Sequence, residues 1–144
     1  MTGYADSSFL ISLTVEDGNT EDARRFMTRH PGPLPFNPLH RLEVRNGLRI
    51  RVHRDEIDTV RRAAALRQIE EDLKDGVLVH QAIPWTEAMR KAEQLSADHA
   101  ERIGSRTADT LHVAAALLAG ARQFLSFDKR QRDLAKAGGL DVKP

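Results

Sequence analysis

Arg106, Asp109 and His112 stand three residues apart at the entrance to an apolar run, Val113-Ala-Ala-Ala-Leu-Leu-Ala119, that Gly120 closes. Residues three apart share a face of a helix. A helix apolar on every side is buried all round, so three polar groups converge where this one meets solvent. Asp6 and Asp128 each follow a short apolar stretch, and Glu43 lies inside a helical pattern. Singly, each acid has a structural account. The three aspartates fall at helix starts, where Asp serves as a cap or complements the dipole, with Arg106 as an ion-pair partner for Asp109. Exposed Glu on a helix needs no account at all. Gathered together they would be costly: two carboxylates ~4 Å apart repel by roughly 4 kcal/mol at an effective dielectric near 20, against a total stability of ~5–15 kcal/mol. Such a cluster requires a divalent cation or raised carboxyl pKa values. Carboxylate and water oxygens suit Mg²⁺ or Mn²⁺ rather than zinc. Ions held this way bind phosphate oxygens and activate water, which points to phosphoester hydrolysis.

The elements that would carry these residues alternate. Gly3-Tyr4-Ala5 reads as a strand and the apolar Phe9–Leu13 as part of a helix that Asp17-Gly18-Asn19 ends, with Asp6-Ser7-Ser8 capping the turn between them. A second helix runs Thr20–His30, broken by Pro31-Gly-Pro33, and Leu34-Pro-Phe36 is a brief strand. Asn37-Pro38 opens a helix to about Arg49, Pro being tolerated in a first turn. Arg41, Arg45 and Arg49 form one stripe of it, and Glu43 points away from them, on the side of Leu39, Asn46, Gly47 and Ile50. Asp55–Asp75 reads as a charged helix with Ile57, Val60, Ala64, Ile69 and Leu73 inward. Val77-Leu-Val79 is a short buried strand. Pro84–Ile103 shows a helical period through Trp85, Ala88, Met89, Ala92, Leu95 and Ile103. After the buried helix, Gln123–Phe127 reads as a strand, Lys129–Ala137 as a helix and Leu140-Asp-Val142 as a last strand. Alternating strands and helices predict an α/β domain with a parallel sheet. Ligands bind outside the carboxyl ends of such strands, where Asp6 and Asp128 fall.

The 144 residues suffice for one domain, 1–144, with a real core. A net charge of +1 means that any nucleic-acid affinity comes from local clustering. The 41–67 stretch, with eight Arg against four acids, is the most basic; RNA phosphates, a protein contact and plain solvation all suit it. The absence of Cys removes disulfides, thiolate zinc sites and Cys nucleophiles, and fits a reducing cytoplasm. No apolar run approaches the ~20 residues of a membrane span, and no signal peptide is expected. Neither G-x-G-x-x-G, the phosphate-binding G-x-x-x-x-G-K-[ST], nor H-E-x-x-H occurs.

Tyr4-Ala-Asp6-Ser-Ser, Leu39-His-Arg-Leu-Glu43-Val, Arg106-Thr-Ala-Asp109-Thr-Leu-His112-Val-Ala-Ala-Ala and Phe127-Asp128-Lys-Arg-Gln, with Ala-Gly-Gly-Leu140 after them, resemble the PIN-domain nucleases. More narrowly they resemble the VapC-type toxins of toxin–antitoxin pairs. The similarity spans essentially the whole chain, and the Arg-x-x-Asp-x-x-His helix followed by Phe-Asp is its specific part. The resemblance implies a PIN-like three-layer sandwich, with a short, mostly parallel central sheet flanked by helices. It implies a Mg²⁺- or Mn²⁺-dependent endoribonuclease in which Asp6, Glu43, Asp109 and Asp128 hold the metal and Ser8 supports them, leaving 5′-phosphate and 3′-hydroxyl ends. It also implies a cytoplasmic homodimer and a small antitoxin that blocks the site.

Arg106 reads as an orienting partner for an acid rather than a catalyst, and His112 as a hydrogen-bonded core residue rather than a base. Asp133, one turn past Asp128, faces the pocket or solvent; solvent is the preferred reading. The competing function is a PIN-fold module that binds RNA or protein without cleaving. Retention of four acids argues against it, because an inactive module has no need of so repulsive a set. A receiver-like signalling domain is disfavoured, since its acids would pair before the first strand's turn.

Overall fold

The structure, a computed structural model, describes residues 3–144. In chain order the first elements are β1 (Gly3–Ala5), α1 (Ser7–Thr14), α2 (Thr20–Arg29), β2 (Leu34–Phe36), α3 (Pro38–His53), α4 (Thr59–Lys74) and β3 (Leu78–His80). There follow α5 (Trp85–Leu95), a π-helical turn (Ser96–Ala100), α6 (Glu101–Ile103), α7 (Thr107–Leu118), β4 (Gln123–Leu125), α8 (Lys129–Ala137) and β5 (Asp141–Lys143). These elements form two compact units, one of the residues up to Asp6 with Ala82–Pro144, the other of Ser7–Gln81.

The first unit holds a three-stranded parallel sheet in the order β1-β4-β5, with Ala5 opposite Leu125 and Leu125 opposite Lys143. Parallel neighbours need crossovers, usually helices, and the helical segments between these strands supply them. The ladder runs one step past the strands: the Asp6 N–H donates to the Leu125 carbonyl and the Ser126 N–H to that of Lys143, both at 3.0 Å. All three strands therefore finish at one edge. Their core is Tyr4, Val113, Ala114, Ala115, Ala116, Phe124, Leu134, Ala135 and Leu140, joined by Ala92 and Leu95 of α5. Small residues on α5 and α7 let the two helices lie close. Gly120, at φ 72°, ends α7: its N–H reaches the Leu117 carbonyl and that of Ala121 the Ala116 carbonyl, as a left-handed glycine cap requires.

The long helical period read over 84–103 is interrupted. Between Leu95 and Ile103 no large apolar side chain pins the helix, and the π-helical turn takes up an extra residue there. Trp85 and Met89, two members of that apolar period, are 39% and 50% exposed.

The second unit holds the parallel pair β2-β3, with Leu34 opposite Leu78, and helices α1 to α4 around a core of Phe9, Leu10, Phe36, Val44, Leu48, Ala65 and Ile69. The start of α3 is held by a reciprocal pair. The Asn37 carboxamide accepts from the His40 N–H at 3.0 Å, while the Asn37 N–H donates to His40 Nδ1 at 3.1 Å. Gly47 lets α3 approach α1, for a Cβ there would come within 2.7 Å of Ile11 Cδ1. Helix α4 starts four residues later than its charge pattern implies. Asp55 adopts φ 57° in the preceding turn, and Asp58 caps the helix by accepting from the Arg61 N–H at 2.7 Å. Val60, read as inward, is 73% exposed just inside that start.

Candidate active site

Three of the acids singled out by sequence belong to the first unit. Asp6 is the residue after β1 and is 5% exposed. Asp128 caps α8, its Oδ1 accepting from the Gln131 N–H at 2.9 Å. The parallel pairing of β1 and β4 brings these two to one edge, and Ser126 joins them. Its hydroxyl donates to Asp6 Oδ2 at 2.5 Å and accepts from the Asp128 N–H at 3.1 Å. Ser126 is fully buried. Sequence reasoning missed it, because a Ser between Leu125 and Phe127 reads as one more strand residue.

Asp109 lies in the first turn of α7, half-buried, and its Oδ2 accepts from the Arg106 N–H at 2.9 Å. Arg106 meets Asp109 through its backbone rather than as an ion pair. Arg has no acceptor to return the bond, so only the acidic half of a capping box exists. His112, one turn further on, is 2% exposed and bonded through Nδ1 to the Tyr4 hydroxyl at 2.7 Å. Tyr4 also stacks on Phe124, the ring centroids 5.6 Å apart. This pair ties β1, two residues before Asp6, to α7, three residues after Asp109. His112 is thus a core residue at the joint between the two elements that carry Asp6 and Asp109.

Glu43 and Ser8 belong to the second unit. Glu43 is half-buried on α3 and its Oε1 accepts from the Ser7 hydroxyl at 2.9 Å; Ser8 is exposed. The hydroxyl of Ser7, which the sequence offered only as a cap, thus meets Glu43. The arginine stripe does face elsewhere: Arg41 and Arg45 both grip Glu70 of α4, at 2.9 and 2.7 Å.

The donor chemistry is that of a hard cation. Asp109 and Asp128 each have one oxygen anchored on a backbone N–H, and neither carries a salt bridge among the described residues. The second oxygen of each is open to an ion or water. No group of three or more His, Asp or Glu among the described residues is set to hold a metal by itself. Asp133 pairs with Lys129 at 2.8 Å with its side chain 46% exposed, and the Lys129 ammonium holds its carboxyl below the ordinary value.

Residues 4–137 match the family model described as PIN domain. Among solved structures the chain is similar to VapC20 of Mycobacterium tuberculosis, described as a sarcin–ricin loop cleaving toxin, at 18% identity over 99% of this chain and 100% of that one, with a TM-score of 0.71. PAE2754 of Pyrobaculum aerophilum matches at 19% identity over 99% and 89% of the two chains, with a TM-score of 0.60. FitAcB of Neisseria gonorrhoeae matches at 12% over 99% and 97%, with a TM-score of 0.62. At these identities the likeness is one of fold, and it is the helix-rich α/β fold with short parallel strands anticipated from the sequence. No curated protein matches the sequence.

Proposed function

The chain belongs to the PIN-domain family, and from that premise we propose that residues 1–144 form one PIN-like domain acting as a metal-dependent endoribonuclease, the toxin of a type II toxin–antitoxin pair. The observation that carries this reading is the pairing of Asp6 and Asp128 across Ser126 at the edge where the parallel strands end. Asp6, Asp109 and Asp128, with Glu43 of the second unit, would hold Mg²⁺ or Mn²⁺. The bound ion supplies phosphate binding, activation of water and charge relief on the leaving oxygen.

The chain's own contribution is orientation. Each anchored carboxylate keeps its rotamer through a backbone N–H, so little rearrangement is needed when charge arrives. Tyr4 and His112 hold β1 to α7 from inside the core, and the hydroxyl of Ser7 orients Glu43. Arg106 fixes Asp109 through its amide, and its exposed side chain, at the residue that opens α7, would meet a phosphate. Ser8, exposed in the first turn of α1, is the further supporting residue that the family resemblance offers. RNA as substrate draws support from the mycobacterial protein of the same fold, whose description is that of a loop-cleaving toxin. The antitoxin partner follows from that toxin role. A homodimer draws support from Trp85 and Met89, which leave an apolar stripe on α5. No helix among the described residues is long and apolar enough to cross a membrane, in keeping with a cytoplasmic place of action.

Asp6→Asn and Asp109→Asn test the reading together. Each should abolish Mg²⁺-dependent cleavage of RNA while the melting temperature in metal-free buffer stays level or rises, because repulsion between carboxylates is relieved. Variants that cleave like the wild type would show the acids to be wrongly assigned. Calorimetry with Mn²⁺ separates the enzyme from a non-cleaving PIN-fold module, which would take up no ion.

A further inference from the structure

Ser126 spends one hydroxyl on two acids. Acceptance of the Asp128 N–H by its Oγ is a local turn bond, of the kind serine makes with a backbone two residues on. The proton of the same hydroxyl goes elsewhere, to Asp6, 120 residues away in sequence. A serine has a single proton to donate, so that gift is exclusive. The serine's other polar atoms are occupied too: its N–H by the Lys143 carbonyl at 3.0 Å, its carbonyl by the Arg132 guanidinium at 2.7 Å. Four bonds thus leave this fully buried residue no freedom to turn.

We propose that Ser126 is a positioning residue for the metal centre, fixing the Asp6 carboxylate and the Asp128 backbone as one unit so that both present oxygens to the same ion. This rests on the nuclease reading. Ser126 itself touches neither metal nor RNA; it acts through the two aspartates, as partners behind metal ligands do.

The test compares the wild-type chain with Ser126→Ala and Ser126→Thr, reading Mn²⁺ affinity by calorimetry, RNA cleavage against Mn²⁺ concentration, and melting in metal-free buffer. Ser126→Ala should bind Mn²⁺ about 10–100-fold more weakly, the usual consequence of losing such a partner. Its cleavage rate should recover toward wild type as Mn²⁺ is raised, a split that a loss of folded protein would not produce. Ser126→Thr keeps the hydroxyl and should restore the affinity; should the added methyl lower its melting, Ser126→Ala against wild type decides alone. Wild-type Mn²⁺ affinity in Ser126→Ala, or a well-folded Ser126→Thr binding as poorly as Ser126→Ala, overturns the positioning role and leaves the nuclease standing. A wild-type protein that takes up no Mn²⁺ overturns the nuclease reading, and the role of Ser126 with it.

Discussion

Asp17 accepts the Ser12 hydroxyl and the Asn19 N–H, each at 2.8 Å, and meets the Arg51 guanidinium at 3.0 Å. Asp6 and Asp128, by contrast, are joined by the hydroxyl of a serine. Both are small polar networks at junctions between elements. In the first, the chain supplies its own cation, and α1, α3 and the turn into α2 are clamped around a neutralised charge. In the second, two acids are drawn toward each other, and Asp128 meets no cation among the described residues. Burial and bonding alone do not separate structural acids from working ones. The source of the compensating charge is the sharper mark: for Asp17 it is Arg51, within the fold, whereas on the nuclease reading Asp128 would take it from a bound ion.

The widest gap between the two regions should appear with Asp128→Asn and Asp17→Asn. Asn caps helices about as well as Asp, so Asp128→Asn should leave α8 and the melting temperature nearly unchanged. Cleavage should fall by more than about 100-fold, beyond the loss expected for a residue behind a ligand. Asp17→Asn should do the reverse. One of its oxygens becomes an NH₂ facing donors, at a cost of about 1–3 kcal/mol in stability, with cleavage per folded molecule unaltered. Equal losses of activity in both variants would erase the distinction.

The pH dependence sharpens it. Partial burial pushes the Asp17 carboxyl up, but the Asn19 N–H, the Ser12 hydroxyl and Arg51 outweigh that and hold it below its ordinary 3.8. A carboxyl depressed in the folded state gives stability that is fully present above the unfolded value and lost as pH falls through the folded one. Wild type should therefore lose stability relative to Asp17→Asn as pH drops below about 4, the two acid-unfolding curves converging. A constant offset across that range would mean that the network stabilises by packing alone.

One side of this contrast was legible beforehand, and the Asp17 network was not. Asp6 and Asp128 could be placed because a strand followed by Asp and a helical pattern has few other readings, and parallel strands bring their ends together. The Schellman-type end at Gly120 and the Pro-opened helix at Asn37 were equally plain. Ser126 was not, since a single polar residue in Phe124-Leu-Ser-Phe127 carries no mark of the partner 120 positions away. Nor was the role of Ser7, whose type fits a cap as well as a support for Glu43. Periodicity also misplaced Val60 and left the cover of Trp85 and Met89 open: it finds the apolar face of a helix but not how much of that face is covered. The π-helical turn at Ser96–Ala100 lay hidden for the complementary reason, that no apolar residue there could betray a shift of phase.

Asp133 supplies the smallest expected effect and the control for the other two acids. It lies on α8 one turn past Asp128, and its carboxyl is held low by the Lys129 ammonium, as that of Asp17 is by its own set of donors. Yet the pair is an i,i+4 contact at the surface, with the Lys129 side chain 87% exposed. Water and salt screen such pairs until little remains. Asp133→Asn should change neither melting temperature nor Mn²⁺ affinity, and its cleavage should match wild type at every ionic strength. A depressed carboxyl is thus no sign of importance by itself; it matters when solvent is kept away, as at Asp17. If Asp133→Asn lost Mn²⁺ binding, the acid would face the metal in solution and the working cluster would extend one turn further along α8.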